Sequence, residues 1–310
     1  MSDPRNLLLI DGYGLLYRAY YAIPAMSNKA GEPTNALFGS VRMLQSLREL
    51  WGATHWAVVF DGGLPEERME LVEEYKANRA SMPEELSAQL PLIDEYLEAA
   101  GVARVCVKGE EADDVLAAIA ARAHKTMDRV LIATSDKDLL QAVDDVVNVV
   151  PMSGKSGALD PKGVAEKTGV RPDQIVAWLA LVGDVADNIT GVPGVGKKTA
   201  ATWLQTYGSL ESLHDHLGEL QGKKAGQSLA AHWERVERNV KMVRLNLDIP
   251  CVYDLEALAV RPPDGARLLT LFERLDLEHF ARDVREPDLA LRQNKRLPKH
   301  VPRETWLRHN

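Results

Sequence analysis

Acidic side chains stand at the ends of short apolar runs in the first half of this 310-residue sequence, and others open the amphipathic segment GEEADDVLAAIAARA. Carboxylate oxygens without accompanying His or Cys are the ligands that Mg²⁺ and Mn²⁺ prefer in proteins. The pattern therefore predicts a divalent-metal site. The acids concerned are Asp11, Asp61, Glu111, Asp113, Asp114, Asp136 and Asp138.

A further acidic pair, Asp184 and Asp187 in VGDVADN, stands three residues apart where a predicted helix ends. Carboxylates at a helix C-terminus oppose the helix dipole, so helix stability does not explain this pair. Acids at a helix start do have such an explanation, worth about 0.3 to 1 kcal/mol each. It does not cover the whole set, because so many carboxylates around one point repel one another strongly unless cations neutralise them.

Five β-rich runs, LLLID, WAVVFD, RVCVK, RVLIAT and VVNVV, alternate with amphipathic segments such as residues 35–50. This alternation predicts an α/β fold with a mostly parallel central sheet flanked by helices. Parallel sheets bind ligands at the carboxyl ends of their strands, where the acids of the first half fall. We expect an α/β core over residues 1–172 and a helical domain over residues 173–285. Residues 286–310 form a basic tail, whose composition favours a disordered end over a DNA-binding arm.

Composition argues against several classes of protein. Apolar residues make up 45% of the chain, and no run approaches the roughly eighteen apolar residues of a membrane span. The start MSDPRNLLLIDG lacks the features of a signal peptide, so we expect a cytoplasmic protein without membrane contact. Cys106 and Cys251 stand singly in apolar stretches, which predicts buried thiols. The net charge of −8 argues against a general nucleic-acid coat protein, unless bound cations reverse the local charge.

The stretch GVPGVGKKTA, residues 191–200, is similar in spacing to a nucleotide-binding Walker loop. A Walker loop needs a hydroxyl residue directly after its Lys, but Lys198 follows Lys197 and the hydroxyl comes one place late, at Thr199. A Walker loop also follows a buried strand, whereas the preceding DQIVAWLALVGDVADNIT has helical spacing of its apolar residues. The pattern therefore favours a glycine-rich turn between two helices over a nucleotide hydrolase.

Several motifs together resemble the bacterial 5′ to 3′ exonuclease and flap endonuclease family: LLLIDGYGLLYRAYYA, VVFDG, YKANR, GEEADDVLA, ATSDKDLLQ, LVGDVADNITGVPGVGKKTA and YGSLESL. The resemblance runs in order from about residue 7 to residue 213 and more weakly to residue 285. It implies a PIN-like nuclease core with a helical arch at about residues 62–100. It also implies that the helical domain binds DNA through a helix-hairpin-type motif.

The resemblance implies two divalent ions, Mg²⁺ or Mn²⁺, and assigns the acids to them. The ligands of the first ion would be Asp11, Asp61, Glu111 and Asp113. Those of the second would be Asp138, Asp184 and Asp187, with Asp136 near or between the two ions. For Asp114 two roles stay open, since it could act on a metal through water or hold the start of the helix.

The motif YKANR of the arch supplies the candidate catalytic residues outside the acidic set. The resemblance implies that Lys76 and Arg79 assist at the scissile phosphate and that Tyr75 stacks on a terminal base. Arg18 in LYRAYYA is a weaker candidate for the phosphate. An alternative is that residues 66–85 form a solvated helix whose cations only make i, i+4 pairs with its many acids.

The glycine-rich loop would grip a DNA backbone phosphate in such a family member. Its glycines would allow close approach, helix-start amides would point at the phosphate, and two lysines would add charge. The residues are Gly191, Gly194, Gly196, Lys197, Lys198 and Thr199. The resemblance also allows a potassium ion bound by backbone carbonyls of this loop. None of these contacts reads a base, so binding should follow DNA shape rather than sequence.

The sequence therefore predicts a metal-dependent 5′ nuclease of replication and repair. Its substrate would be DNA with 5′ ends, nicks or flaps, a DNA polymerase is a candidate partner, and we expect a monomer. A feature of the sequence argues against each of three alternatives. A non-catalytic DNA-binding relative would lose metal ligands, a nucleotide hydrolase would need the Walker spacing, and an RNA-directed nuclease would lack the second acidic pair and the glycine loop.

Overall fold

Five parallel strands form the central sheet of the protein. The computed structural model describes residues 4–153, 157–250 and 254–286, so Cys251 and all of the tail beyond Glu286 lie outside the described residues. The strands are β1 (Asn6–Asp11), β2 (His55–Phe60), β3 (Ala103–Cys106), β4 (Arg129–Ala133) and β5 (Val147–Val150). Their order is β3-β2-β1-β4-β5, all parallel, which confirms the predicted α/β class.

Strand β1 lies at the centre of the sheet and is buried on both faces. Leu7 and Leu9 pack into one hydrophobic cluster, and Leu8 and Ile10 into the other. Successive strand side chains point to opposite faces, so a continuous apolar run is what a doubly covered strand requires. All the strands point the same way, and their carboxyl ends therefore meet at one edge.

Helices α1 to α6 connect the first four strands. They are α1 (Gly12–Ala22), α2 (Asn35–Trp51), α3 (Glu66–Leu71), α4 (Glu84–Ser87), α5 (Leu90–Ala99) and α6 (Ala112–Ala123). Helix α1 begins directly after β1, and the Asp11 side chain caps it. Its first residue must be small, because a Cβ at Gly12 would lie 2.6 Å from the Phe60 ring. We call residues 62–100 the arch segment. It contains only the short helices α3 to α5.

The second half of the chain is largely helical. Its main helices are α7 (Pro161–Thr168), α8 (Ile175–Val182), α9 (Lys197–Tyr207), α10 (Leu210–Asp215), α11 (Leu217–Leu220), α12 (Lys224–Ala231) and α13 (Trp233–Val243). Between α8 and α9 stands a minimal antiparallel hairpin, β6 (Gly183–Asp184) and β7 (Ile189–Thr190). Asp184 and Asp187 therefore belong to this hairpin and not to the last turn of α8.

Helices α14 (Gly265–Arg274) and α15 (Glu278–Arg285) return to the α/β core. Phe272 and Phe280 pack in the cluster that covers the α1, α2 and α5 face of the sheet. Helices α8, α9 and α13 contribute instead to the opposite cluster, together with α6. The expected helical domain over residues 173–285 is thus divided between the two faces, and its C-terminal helices stabilise the core.

Cys106 is exposed, so the predicted burial of its thiol is wrong. The reason is that β3 is an edge strand, whose position in the sheet the sequence does not show. Within residues 4–153, 157–250 and 254–286, no helix combines the length and apolar character needed to cross a bilayer.

Candidate metal centre and nucleic-acid interface

Asp11 is the last residue of β1, and Asp61 directly follows β2. Each accepts a hydrogen bond from a backbone amide at the start of a helix beside the sheet edge. Asp11 Oδ1 accepts a hydrogen bond from Gly14 N at 2.9 Å, and its Oδ2 accepts one from Thr134 Oγ1 at 3.2 Å. Asp61 Oδ1 accepts from Ala112 N, the first residue of α6, at 2.7 Å. Both carboxylates have lone pairs left after these hydrogen bonds, so a helix-capping role and a metal-binding role are compatible.

Asp138, Asp184 and Asp187 form the tightest acidic cluster. One carboxylate oxygen of each lies within 4.8 Å of the others, and all three residues are buried. Asp138 Oδ1 is buried and makes no hydrogen bond to any atom in the described part of the chain. A buried carboxylate oxygen without a donor is costly, and a cation between the three acids would satisfy it.

Asp113 and Asp136 connect the strand-end acids to this cluster. Burial raises the pKa of Asp113 well above its ordinary value, and the charges of Asp136 and Asp11 raise it further. Burial also raises the pKa of Asp136, partly offset by a hydrogen bond from Asp138 N, and Asp187 raises it too. The acids therefore form one electrostatically continuous group that the folded protein holds together against repulsion.

Burial has the same effect at both ends of the group. It raises the pKa of Asp11 to about 6, against lowering by the bonds from Gly14 and Thr134. Burial also raises the pKa of Asp138 well above its ordinary value, and Asp136 and Asp184 add to the effect. A divalent ion would reverse these shifts, because it favours the charged carboxylates.

Glu111 faces cations rather than other acids. Its Oε1 pairs with Lys76 Nζ, while its Oε2 accepts from Arg68 Nη1 and from Tyr75 Oη, the latter at 3.0 Å. Burial alone would raise the pKa of Glu111, but Lys76 and Arg68 outweigh it and lower the pKa. Tyr75 is 4% exposed, so its ring has no free face for a base in this conformation, and stacking by Tyr75 stays a prediction.

Asp114 is fully buried and pairs with Arg68. Its Oδ2 and Oδ1 accept from Arg68 Nη1 and Nη2 at 2.6 and 2.8 Å, and Oδ1 also accepts from Asn246 N at 2.7 Å. Burial lowers the pKa of Arg68, but Asp114 and Glu111 outweigh it and raise the pKa, so the guanidinium stays charged. Of the nine predicted metal acids, the structure thus groups seven around one site, with Glu111 beside them and Asp114 outside.

The arch segment lies against the β6–β7 hairpin. Arg79 Nη2 pairs with Asp187 Oδ1 at 2.7 Å, and Lys76 Nζ lies 3.6 Å from Asp187 Oδ2. Asn78 Nδ2 donates to Val185 O at 2.9 Å, and the backbone of Lys76 takes the left-handed conformation with φ 55°. The alternative of a solvated helix with i, i+4 pairs is wrong for these cations, because their partners lie in other segments.

The glycine-rich loop contains two kinds of glycine. A Cβ at Gly191 would lie 2.1 Å from Val182 O, so this glycine allows the hairpin to pack on α8. Gly194, with φ +75°, and Gly196 have open space instead, since among the described residues no atom beyond the adjacent ones lies within 4 Å of a Cβ added at either. Gly196 is the N-cap residue of α9, and no side chain of the described residues caps the helix there. The start of α9 therefore presents free amides at an open surface.

Lysines line the groove beside this loop. Lys197 and Lys198 are exposed, and with Lys167 and Lys137 they border a groove of about 510 Å³. Lys167 also borders a neighbouring cleft of about 620 Å³, which contains Asp136 and Arg18. Thr199 is half-buried in the first turn of α9. A basic path thus leads from the loop to the acidic group.

The comparisons with known proteins decide the family. Residues 6–169 match the 5′-3′ exonuclease N-terminal, resolvase-like domain, and residues 170–266 match the 5′-3′ exonuclease C-terminal SAM fold. The chain belongs to the 5′-3′ exonuclease family. Its sheet, flanking helices and helix-hairpin-type α8–α9 element have the predicted PIN-like nuclease architecture, and the protein is a nuclease of the 5′-3′ exonuclease type.

Individual relatives of this exonuclease agree with that assignment. DNA polymerase I of Mycobacterium bovis is 40% identical over 276 residues, which cover 87% of this chain and 30% of the polymerase. The T5 D15 protein co-crystallised with metal ions has a TM-score of 0.64 and 25% identity, over 91% of this chain and 99% of that one. A bacteriophage T5 D15 flap endonuclease complex with DNA and metal ions has a TM-score of 0.65 and 24% identity, over 91% and 98%.

Two residues of the exonuclease site were not predicted from the sequence. Arg68 is buried between Glu111 and Asp114, and Lys137 Nζ pairs with Asp184 Oδ2. Lys137 lies between the predicted ligands Asp136 and Asp138 in SDKDL, and this position could have indicated from the sequence that it belongs to the site. Arg68 gave a weaker signal, because it lies in an acid-rich segment and its partners are 43 and 46 residues away.

Proposed function

We propose that this exonuclease hydrolyses DNA phosphodiester bonds at 5′ ends, nicks and flaps by a two-metal mechanism with Mg²⁺ or Mn²⁺. The single observation that carries the proposal is the buried Asp138 Oδ1, which accepts no hydrogen bond from the described residues and lies among the three clustered acids Asp138, Asp184 and Asp187. The oxygen-only donor set supports a hard divalent ion. The T5 D15 protein, which this fold resembles, was crystallised with metal ions.

The first proposed ion would be held by the strand-end acids Asp11 and Asp61 and by Asp113 of α6, with Glu111 at the side. The second would be held by Asp138, Asp184 and Asp187, with Asp136 between the two ions. When bound, two divalent ions would supply an activated water and stabilise charge on the attacking and leaving oxygens. The chain's own contribution is to hold these carboxylates at one sheet edge. Helix starts at α1 and α6 fix Asp11 and Asp61 there.

Lys76 and Arg79 are the proposed phosphate-contacting residues. Both now pair with acids of the site, Lys76 with Glu111 and Arg79 with Asp187. We infer that Lys76 and Arg79 would leave these acids once the acids hold metal ions, and that the two side chains would then orient the scissile phosphate. Arg79 is half exposed, so it can move at small cost in packing. Arg18 borders the cleft beside Asp136 and is the weaker candidate for the same phosphate.

The glycine-rich loop is the proposed clamp on the DNA backbone. The open surface at Gly194 and Gly196, together with the free amides of α9, supports a phosphate site. Lys197→Ala and Lys198→Ala should each weaken binding to duplexes of any sequence and lower the logarithmic salt slope by about 0.9. Fluorescence anisotropy at several salt concentrations measures this slope.

A matched control is Lys125→Ala, since Lys125 is exposed and lies beyond the end of α6 that is remote from the acids. Its slope should equal that of the parent. If the loop variants also keep the parent slope, Lys197 and Lys198 do not contact phosphates. Potassium at the loop stays a prediction, and its effect is tested by comparing binding in KCl and in tetramethylammonium chloride.

The proposed reaction is tested with DNA labelled at the 5′ or the 3′ end. Duplex, nicked and 5′-flapped substrates are incubated with protein in Mg²⁺, in Mn²⁺ or in chelator. We expect short 5′-labelled products from ends and flaps with either ion, and intact DNA in chelator. Products that arise only from 3′ ends, or equal cleavage in chelator, would contradict the proposal. A non-catalytic relative would bind these substrates without cleaving any.

A DNA polymerase is the proposed partner. The support is the identity with DNA polymerase I, of which this chain spans less than a third. Gel filtration of the protein with and without a bacterial DNA polymerase tests the association. A monomeric state and a cytoplasmic location stay predictions.

A further inference from the structure

Arg68 occupies a position that the metal assignment does not explain. It lies on α3 at the base of the arch segment and is only 8% exposed. Nη1 contacts both Glu111 and Asp114, and Nη2 contacts Asp114 Oδ1 and, at 3.0 Å, the backbone oxygen of Arg244. One side chain thus joins the arch, the start of α6 and the residue after α13.

The two oxygens of Glu111 have different partners. Oε2 is held by Arg68 and by the hydroxyl of Tyr75, whereas Oε1 is held only by Lys76 among the described residues. All three partners are buried, but Arg68 is fixed further by two hydrogen bonds to Asp114, whereas Lys76 lies 3.6 Å from its other acid, Asp187. Lys76 is the partner that an incoming cation would displace. The oxygen beside Lys76 is therefore the one that can turn to a metal ion.

Resting on the proposed metal centre, we propose that Arg68 is a positioning residue. Anchored by Asp114, it holds Glu111 Oε2 and thereby presents Oε1 to the first metal ion. Asp114 then serves as the anchor of Arg68 and not as a ligand, since both of its oxygens are already engaged by Arg68 and Asn246. Tyr75 is a second, weaker support on the same oxygen.

The test separates geometry from charge. Arg68→Lys keeps the positive charge, but the single ammonium group cannot bridge Asp114 and Glu111 as the planar guanidinium does. We expect Mg²⁺ binding, measured by titration calorimetry without DNA, to weaken about 10- to 100-fold. Cleavage should fall at low Mg²⁺ and recover largely when Mg²⁺ is saturating. Arg104→Lys is the control, because Arg104 forms an Arg–Asp pair on the edge strand β3.

Tyr75→Phe tests the same claim with almost no structural change. It keeps the ring and removes only the hydroxyl on Glu111 Oε2. Mg²⁺ binding should weaken about threefold to tenfold, because one hydrogen bond to a charged group is lost. If the ring stacks on a terminal base and the hydroxyl has no role, the variant binds Mg²⁺ as the parent does. This variant decides the question if Arg68→Lys fails to fold.

A double variant tests the anchor. If Arg68 and Asp114 act as one unit, Arg68→Lys with Asp114→Asn should bind Mg²⁺ no more weakly than the worse single variant. Parent-like Mg²⁺ binding in Arg68→Lys and Tyr75→Phe, with only lowered stability in chelator, would overturn the proposal. Failure of the parent itself to bind Mg²⁺ would instead refute the proposed metal centre, and the two failures are therefore distinguishable.

Discussion

Asp11→Asn should stabilise the metal-free protein. Folding raises the pKa of Asp11 from 3.8 to about 6, mainly because the carboxyl is buried. Between these two pH values the folded state binds a proton that the unfolded state has released. The charged carboxylate is therefore a cost to the folded state, which grows as the pH rises from about 4 to about 6 and is constant above that range.

The free-energy cost of the charged Asp11 carboxylate follows from the change in its pKa on folding. A change of about two pKa units corresponds to about 3 kcal/mol. Asparagine fits the site, because its oxygen can accept from Gly14 N and its amide can donate to Thr134 Oγ1. We expect a gain of about 1 to 3 kcal/mol at about pH 8 in chelator, and a rise in the melting temperature of several degrees. Below about pH 4 the gain should vanish.

Urea unfolding in chelator at the two pH values measures the effect. Asp145→Asn is the matched control, because Asp145 is exposed and loses the same charge; its stability should change by less than about 0.5 kcal/mol. With saturating Mg²⁺ the order should reverse, since the parent gains a metal ligand that the variant lacks. Destabilisation of Asp11→Asn in chelator at about pH 8 would refute the account of the acidic group as a repulsive site awaiting cations.

Further predictions concern the hairpin and the loop. Asp187→Asn should keep DNA binding, because repulsion of the phosphates falls, yet lose cleavage at least about 100-fold in saturating Mg²⁺; parent-like rates in single-turnover assays would return Asp187 to a structural role. Gly196→Ala should fold with parent stability but bind duplex DNA more weakly, since the new Cβ meets no non-adjacent atom of the described residues and would occupy space beside the proposed phosphate site. Gly191→Ala should lower the melting temperature by several degrees, because the Cβ would lie 2.1 Å from Val182 O; the reverse order of stability in the two glycine variants would contradict the loop geometry.

The sequence predicted those features that depend on local pattern. Strands end where apolar runs end, so the positions of Asp11, Asp61 and Asp136 at one sheet edge followed from the parallel topology. The order of strands did not follow, which is why the exposure of Cys106 on the edge strand was not predicted. The hairpin at Asp184 and Asp187 was also missed, because two-residue strands leave no periodic signal.

Contacts between residues far apart in the chain could not be predicted from the sequence either. The sequence around Arg68 is rich in acids and predicts a surface residue; only the fold brings Arg68 to Asp114. Tyr75 reads as an aromatic ring available to a base, but the structure buries it against Glu111. The sequence assigns the last helices, with Phe272 and Phe280, to a second domain, but in the structure they pack against the α/β core. In each case tertiary contacts decide a side chain's role after local pattern has placed it.

If the acidic group holds two divalent ions, a crystal grown with Mn²⁺ will show them. Anomalous difference maps locate the ions without any assumption about activity. The account predicts two peaks about 3.5 to 4 Å apart, one contacting Asp138, Asp184 and Asp187 and the other on the side of Asp11 and Asp113. Peaks remote from these acids, or none at saturating Mn²⁺, would contradict it.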